Sequence, residues 1–222
     1  MPYGEADVVV TLFTEALGRV SAMARGARRS GKRLGGALEP VHGVRVELDE
    51  RPGSDLATLH DARVLRARTF LTTDLDRLDA AGHALRWVRR AAPPRKPEPE
   101  LWAEVVDLLD HLDDRTDAVA PRTHLAASGL RILVALGWGL QLESCVRCGR
   151  ACGAERAAFV DAARGGLLCR ACGGSGRVVP ADARVRLVAA AAGKDATLVD
   201  GDVALAFALV DEVLATHAGL EA

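Results

Sequence analysis

Aromatic residues are scarce in this chain, at 4% of 222 residues, although hydrophobic residues make up 49% of it. A folded core must therefore rest on leucine, valine and alanine. Neither sign of charge prevails, because 29 lysines and arginines are balanced by 30 aspartates and glutamates. This balance argues against a uniformly basic nucleic-acid binder, but it permits local basic patches. A chain of this length can bury a hydrophobic core without a metal ion, so a bound metal would stabilise only the part of the fold around it.

The sequence also lacks the segments that direct a protein into a membrane. The N-terminus is acidic at Glu5 and Asp7, where a signal peptide needs a basic region. The apolar stretch at residues 120–142 is interrupted by two arginines and a histidine, so it does not form a membrane span. We therefore predict a cytoplasmic protein without membrane contact.

Four of the five cysteines form two C-x-x-C pairs, Cys145–Cys148 and Cys169–Cys172. Each pair can turn two thiolates towards one point, and two such pairs complete a tetrahedral four-sulfur shell. An odd number of cysteines in a reducing compartment also favours metal binding over disulfides. The pattern predicts a structural zinc ion. Glycines follow the second cysteine of each pair, at Gly149 and Gly173, and let backbone amides approach the sulfurs.

Three other interpretations of the cysteines are weaker. Redox C-x-x-C motifs usually occur singly, iron–sulfur clusters use a different spacing, and a catalytic zinc leaves one coordination position open. The spare Cys152 could compete with Cys148 as a ligand, but the paired spacing favours Cys148. Apolar residues between the pairs predict short ribbon strands at Phe159–Val160 and Leu167–Leu168.

The hydrophobic period divides the chain into a β-rich first part and a helical second part. Four short strands with turns between them suggest a small barrel or sandwich, and they are predicted at residues 7–14, 19–26, 44–49 and 55–60. Five helices follow from apolar residues at helical spacing, beginning near residues 75, 101, 125, 182 and 203. Asp74 is the predicted N-cap of the first, and Asp200 or Asp202 of the last. Gly129 weakens the prediction of the third.

A basic stretch is the second chemical signal, at Arg25-Gly26-Ala27-Arg28-Arg29-Ser30-Gly31-Lys32-Arg33. Together with Arg19 it lies in a window that holds no acid between Glu15 and Glu39. Such a loop can follow a phosphate backbone, because each cation displaces a condensed counterion. Since no aromatic residue is interleaved, contacts should favour phosphates over bases. A solvated surface loop is the alternative.

A second basic cluster comprises Arg86, Arg89, Arg90, Arg95 and Lys96. It reflects either favourable charge at a helix C-terminus, which we prefer, or an extension of the DNA path.

No histidine completes a catalytic order with a serine or cysteine and an acid, and we predict no enzymatic activity. His111 lies near Asp110, Asp113 and Asp114, a set that a solvated helix end explains better than a metal.

These parts together resemble the RecO family. The run from Tyr3 to Thr14 is similar to the family's N-terminal signature, as is Gly18-Arg19-Val20 followed by Ala24 to Arg28. The segment from Leu130 to Gly137 resembles the family's central helix. It leads into Cys145 to Gly149, and residues 165–172 match the second cysteine pair. The resemblance covers nearly the whole chain.

The resemblance implies an α+β chain with an N-terminal OB-fold barrel at residues 1–68 and a helical domain at residues 69–222 with a zinc finger at residues 145–172. It implies recombination mediation in the RecF-type pathway by a nucleoid-associated protein that binds single- and double-stranded DNA, anneals strands and helps load recombinase. RecR and the acidic tail of single-stranded DNA-binding protein are the implied partners, with Arg131 as a candidate contact for that tail. The implied DNA contacts are Arg19, Arg25, Arg28, Arg29, Lys32 and Arg33.

One departure concerns the N-terminus. RecO chains usually carry another strand before the Tyr-Gly-Glu motif, whereas Met1 falls almost on it here. We therefore expect a barrel that lacks its first strand, and a natural protein that starts further upstream. Two other function classes remain open: a zinc-ribbon interaction module of transcription or translation, and a metal-dependent enzyme.

Overall fold

The computed structural model describes residues 2–3, 7–27, 34, 36–50, 53–194 and 198–218. Within them the chain forms a five-stranded sheet, followed by helices and a second, three-stranded sheet. The strands of the first sheet are β1 (Pro2–Tyr3), β2 (Asp7–Thr14), β3 (Gly18–Ala24), β4 (Gly43–Asp49) and β5 (Leu56–Arg66).

The first sheet has the topology of an OB-fold. Its strand order is β1-β2-β3-β5-β4, and β3 is parallel to β5 while the other pairs are antiparallel. β1 holds the first position of this order but pairs with β2 over two residues only, Pro2 with Val8 and Tyr3 with Asp7. β1 ends at Tyr3, the first residue of the Tyr-Gly-Glu motif, and the described residues hold no other strand before that motif. Alternate residues of β3, such as Val20 and Ala22, are buried inside the barrel.

β5 is longer than predicted because it serves two partners. Residues 56–59 pair with β3, and residues 58–66 pair with β4. A register shift between Glu47 and Leu48 interrupts the second ladder. The shift leaves His60 without a partner in this ladder, at the residue where the shorter strand was predicted to end.

The helical part contains five α-helices among the described residues. They are α1 (Leu75–Ala91), α2 (Pro99–Asp113), α3 (Pro121–Ala135), α4 (Ala181–Ala191) and α5 (Asp200–His217). The prediction for α1 is confirmed, since the Asp74 carboxylate accepts hydrogen bonds from the N–H groups of Asp76 and Arg77. The prediction for α5 is wrong: its N-cap is Val199, and the Asp202 carboxylate accepts from the Val199 N–H at 3.1 Å.

α3 lies at the centre of the helical core. It buries residues on nearly all its sides, and those at positions 126–129 are small: Ala126, Ala127, Ser128 and Gly129. Small side chains let neighbouring helices approach closely. Gly129 belongs to this set because an added Cβ would lie 2.8 Å from the ring of Trp87 on α1.

The second sheet is inserted between α3 and α4. Its strands are β6 (Ala158–Asp161), β7 (Gly166–Leu168) and β8 (Arg177–Val179), in the order β7-β6-β8. The ribbon strands predicted at Phe159–Val160 and Leu167–Leu168 are confirmed. Within the described residues, no helix is both long and apolar enough to traverse a bilayer.

The barrel contacts the helices first through the α1–α2 connection. Gly18 has a φ of +64°, and a Cβ there would lie 1.9 Å from the carbonyl oxygen of Lys96. The N–H of Arg95 donates to the Arg19 carbonyl at 2.9 Å, and Arg95 also forms an ion pair with Glu50. This first joint lies where β3 begins and β4 ends.

A second joint lies at the other end of β5. Arg68 is 3% exposed, and its Nη2 lies 2.7 Å from Oδ1 of Asp110 on α2. The Asp113 carboxylate accepts from the N–H groups of Phe70 and Leu71, each at 3.0 Å. Asp110 and Asp113 therefore hold the barrel, rather than lying at a merely solvated helix end as predicted.

Candidate metal centre and nucleic-acid interface

Four cysteine thiols converge beside the second sheet. The Sγ atoms of Cys145, Cys148, Cys169 and Cys172 all lie within 4.8 Å of one another. The two C-x-x-C pairs are thus brought together as predicted, and the set could hold a metal ion. Among the described residues, no other group of histidines, cysteines and carboxylates is placed to do so. Cys152 lies outside the set, and its N–H donates to the Glu143 carbonyl at 2.8 Å.

Glycine turns shape the two cysteine pairs. Gly149 and Gly173 have φ angles of +71° and +86°. Glycine adopts this left-handed conformation without steric cost. The Gly149 N–H donates to the Cys145 carbonyl at 2.8 Å, and the Gly173 N–H donates to the Arg170 carbonyl at 3.1 Å. Each chain reversal places the second cysteine of a pair beside the first.

The thiols differ in their tendency to ionise. A hydrogen bond from the Cys169 N–H lowers the pKa of the Cys145 thiol to about 6. Hydrogen bonds with the thiols of Cys169 and Cys148 raise the pKa of Cys172 to about 12. Backbone N–H dipoles stabilise the Cys145 thiolate. Ionisation of the other thiols would place several negative charges close together. A metal cation within the set removes that repulsion, so the donor set fits such an ion.

Arg184 of α4 connects the first cysteine pair to the helical core. Its side chain is buried, and its Nη1 donates to the Leu142 carbonyl at 2.6 Å. Its Nη2 donates to the Gly153 carbonyl at 2.5 Å. These carbonyls lie on either side of the pair in sequence, so one guanidinium fixes both flanks. Sequence reasoning missed Arg184 because nothing in the pattern distinguishes it from a surface arginine.

The predicted DNA-binding loop connects β3 to β4. Arg25 directly follows β3, is exposed, and forms no ion pair with another described residue. The remaining predicted contacts in this loop lie outside the described residues, namely Arg28, Arg29, Lys32 and Arg33. Their role as contacts therefore stays a prediction.

Two arginines that sequence reasoning missed extend the basic charge along the barrel. Arg45 of β4 and Arg63 of β5 are exposed cross-strand partners near the start of β4. The next outward pair along these strands is acidic, formed by Glu47 and Asp61, and the Asp61 carboxylate forms an ion pair with Arg63 at 2.9 Å. The positive end of this face thus lies beside the loop. The alternation in β4 marks Arg45 as outward-facing, but the pairing with Arg63 requires the fold.

Arg19 lies away from the loop. It is the second residue of β3, whereas Arg25 follows the last, a separation of about 20 Å along an extended strand. The Nε of Arg19 donates to the Ala92 carbonyl at 2.8 Å, at the C-terminal end of α1. The structure does not bring these two predicted contacts together.

Arg131, the predicted partner contact, lies in the interface between α2 and α3. Its side chain is 13% exposed, and its Nε lies 2.8 Å from Oε1 of Glu104. Its Nη2 donates to Oγ of Ser128 at 2.8 Å. Burial raises the pKa of Glu104, against the opposing effect of Arg131.

Comparison with known proteins identifies two matching family models. "Recombination protein O N terminal" matches residues 1–68, and "Recombination protein O C terminal" matches residues 72–221. The DNA repair protein RecO of Anaeromyxobacter sp. strain K is 41% identical over 222 residues, covering 99% of this chain and 82% of that protein. RecO of Geobacter sulfurreducens is 37% identical over 188 residues, covering 85% of this chain and 74% of that protein.

RecO of Myxococcus xanthus is 37% identical over 171 residues, covering 77% of this chain and 68% of that protein. The two family models follow each other in the order of the barrel and the helical part, and together they span nearly all of the chain. The OB-fold strand order and the four-cysteine cluster agree with this assignment. The chain therefore belongs to the recombination protein O family, the family of the DNA repair proteins RecO.

Proposed function

We propose that this protein is a recombination mediator that binds single- and double-stranded DNA, promotes annealing of complementary strands and helps load recombinase in the RecF-type pathway. Residues 1–68 act as its DNA-binding domain, and residues 69–222 carry contacts to RecR and to the acidic tail of single-stranded DNA-binding protein. Annealing by strand capture needs no bond chemistry, so we propose no enzymatic activity.

One observation carries the proposal: an OB-fold barrel bears a basic loop between β3 and β4, with the exposed Arg45 of β4 beside it. Exposed guanidinium groups on a barrel can neutralise phosphates in any sequence context. Because this binding is electrostatic, affinity should fall steeply as salt rises. No observation favours the alternative of a zinc-ribbon module of transcription or translation.

The test replaces Arg28, Arg29, Lys32 and Arg33 with alanine. If each contacts one phosphate of a single strand, the slope of log K against log salt falls by about 0.7 per contact. Between 50 and 200 mM salt the wild type should then lose about 50-fold more affinity than the variant. The variant should also anneal complementary strands more slowly, with and without single-stranded DNA-binding protein. Equal affinity and equal slopes in both proteins would refute the proposal.

We also propose that the metal is a structural Zn²⁺ held by Cys145, Cys148, Cys169 and Cys172. A tetrahedron with Zn–S bonds of about 2.3 Å has S···S edges of about 3.8 Å. The Sγ atoms of Cys148 and Cys169 are 3.8 Å apart. Four thiolates fill all four positions, so the ion would supply folding energy rather than chemistry.

Serine at Cys145 should remove the metal and lower thermal stability, with DNA binding lost only as a consequence of unfolding. Serine at Cys152 is the matched control and should keep one zinc per chain, because its thiol lies outside the set. Metal content by atomic absorption and thermal unfolding test both. Full zinc content in the Cys145→Ser variant would contradict the assignment.

Arg131 is a weaker candidate for the partner contact than sequence alone indicated. Its guanidinium is mostly buried against Glu104, so the acidic tail would have to displace that carboxylate. Replacing Arg131 with alanine, with affinity for a peptide of the tail measured by calorimetry, tests this contact directly. Unchanged affinity in a folded variant would remove Arg131 from the proposal.

A further inference from the structure

Three arginines lie close together near the C-terminal end of α1. Arg86, Arg89 and Arg90 are spaced i, i+3 and i+4, so their side chains are neighbours on the helix surface. All three are exposed, and none forms an ion pair with another described residue. Arg19 of the barrel joins them, because its Nε donates to Ala92, two residues beyond Arg90. We name these four arginines the junction surface.

The helix dipole explains this cluster only in part. Cations in the last turn are favoured by about 0.3–1 kcal/mol, which covers Arg89 and Arg90. Arg86 lies more than one turn before the end of the helix at Ala91. It also carries the same charge as Arg90 at i, i+4, an arrangement that destabilises an isolated helix. The cluster therefore suits an external polyanion better than it suits the fold alone.

Charged groups of both signs surround His83 of α1, beside the junction surface. Burial is the main cause that lowers the pKa of His83, and Arg86 and Arg122 lower it further. Asp79 and Asp211 act in the opposite sense but do not cancel the shift. Arg122 comes from α3, so the positive charge extends beyond the junction surface to the next helix.

The junction surface is separate from the basic loop. It lies at the start of β3 and the loop follows its end, about 20 Å away along the strand. A separation of about 20 Å leaves room for each set of cations to contact a strand of its own, so the two sets allow two strands to be held at once.

We propose that the junction surface binds the phosphates of a second DNA strand while the basic loop holds the first. This inference rests on the proposed function, which it extends from binding one strand to holding two strands together. Arg86 and Arg90 lie about 6 Å apart along the helix axis, so their guanidinium groups are close enough together to contact neighbouring phosphates of one strand. Within residues 79–133, no large hydrophobic side chain of the described residues is among the exposed ones, so the surface around Arg86, Arg89 and Arg90 is chiefly charged, as phosphate binding requires.

The test is a bridging assay with two labelled, non-complementary single strands, one carrying a fluorescence donor and the other an acceptor. Because these strands cannot pair, energy transfer reports only a protein that holds both. The junction variant replaces Arg86, Arg89 and Arg90 with alanine. The matched control replaces Arg150, Arg156 and Arg164 with alanine. These are exposed arginines of the zinc finger, and their replacement removes the same amount of charge.

The wild type and the control should bridge the strands, whereas the junction variant should lose bridging at least tenfold and keep its affinity for one strand within a few-fold. Bridging by the junction variant at the wild-type level would overturn the inference. In that case, weak DNA binding by the loop variant would still support the proposed function.

Equal loss of bridging in the control would show an effect of net charge and would also overturn the inference. Wild-type protein that binds no DNA would overturn both proposals. Labelled polyglutamate that binds the wild type but not the junction variant, with bridging intact, would assign the surface to an acidic protein instead.

Discussion

Replacing Gly129 with alanine sets two effects of opposite sign against each other. In a helix interior alanine is favoured over glycine by about 0.8–1.0 kcal/mol. At this position, however, the added Cβ would lie 2.8 Å from the Trp87 ring and 3.2 Å from Cγ2 of Val210. Trp87 is 2% exposed, and its Nε1 donates to Asp211 at 3.0 Å. The ring therefore cannot withdraw without losing that hydrogen bond and opening a void.

Overpacking of this kind costs about 1–3 kcal/mol, so we expect Gly129→Ala to lower the free energy of unfolding by about 1 kcal/mol after the gain in helix propensity. Gly82→Ala is the control, because its Cβ would meet only the end of the flexible Arg86 side chain at 3.5 Å. It should raise the free energy of unfolding by about 1 kcal/mol. Urea denaturation followed by far-UV circular dichroism measures both. A Gly129→Ala protein stabilised as much as Gly82→Ala would refute the packing argument.

Two further predictions concern Arg184 and His83. Methionine at Arg184 should lower stability by about 3–6 kcal/mol, because the Leu142 and Gly153 carbonyls each lose a charged donor worth about 1.5–3 kcal/mol. Zinc should also be lost faster to a chelator, and unchanged retention would show that the finger does not depend on this contact. Since the pKa of His83 lies below its ordinary 6.5 in the folded protein, the unfolded chain takes up that proton first as pH falls. Stability should therefore decrease as pH falls below 6.5, and His83→Gln should lack this part of the decrease; parallel stability curves for the two proteins would contradict it.

Much of the fold and the cysteine set could be predicted because they depend on local signals. The C-x-x-C spacing brings each thiol pair together within one turn, and the following glycines permit that turn. The aspartate at position 74 precedes a helical pattern and caps it. The cap of α5 was misassigned because acids are favoured both at the N-cap and in the first helical turn. The sequence around Asp202 therefore looks the same whether Asp202 is the N-cap or lies in the first turn. Here it lies in the first turn and accepts a hydrogen bond from the N–H of Val199, three residues earlier.

The arrangement of the basic residues could not be predicted because it depends on contacts between distant parts of the chain. Arg19 and Arg25 are near one another in sequence, but the length of β3 separates them. Asp110 resembles a surface acid in its helix, and only the fold places it beside Arg68, 42 residues earlier. Gly129 weakened the prediction of α3 because helix propensity considers only the local sequence. In the fold, the Trp87 ring leaves no room for a side chain at position 129.

The two joints between the barrel and the helices have a mechanical consequence. The carbonyl of Lys96 lies against Gly18 at one end of β5, and Asp110 pairs with Arg68 at the other. Rotation of the barrel about either attachment would pull the other apart. The barrel and the helical bundle should consequently move as one body, with any adjustment left to the connecting loops. If the two proposals hold, the relative orientation of the basic loop and the junction surface is set when the chain folds.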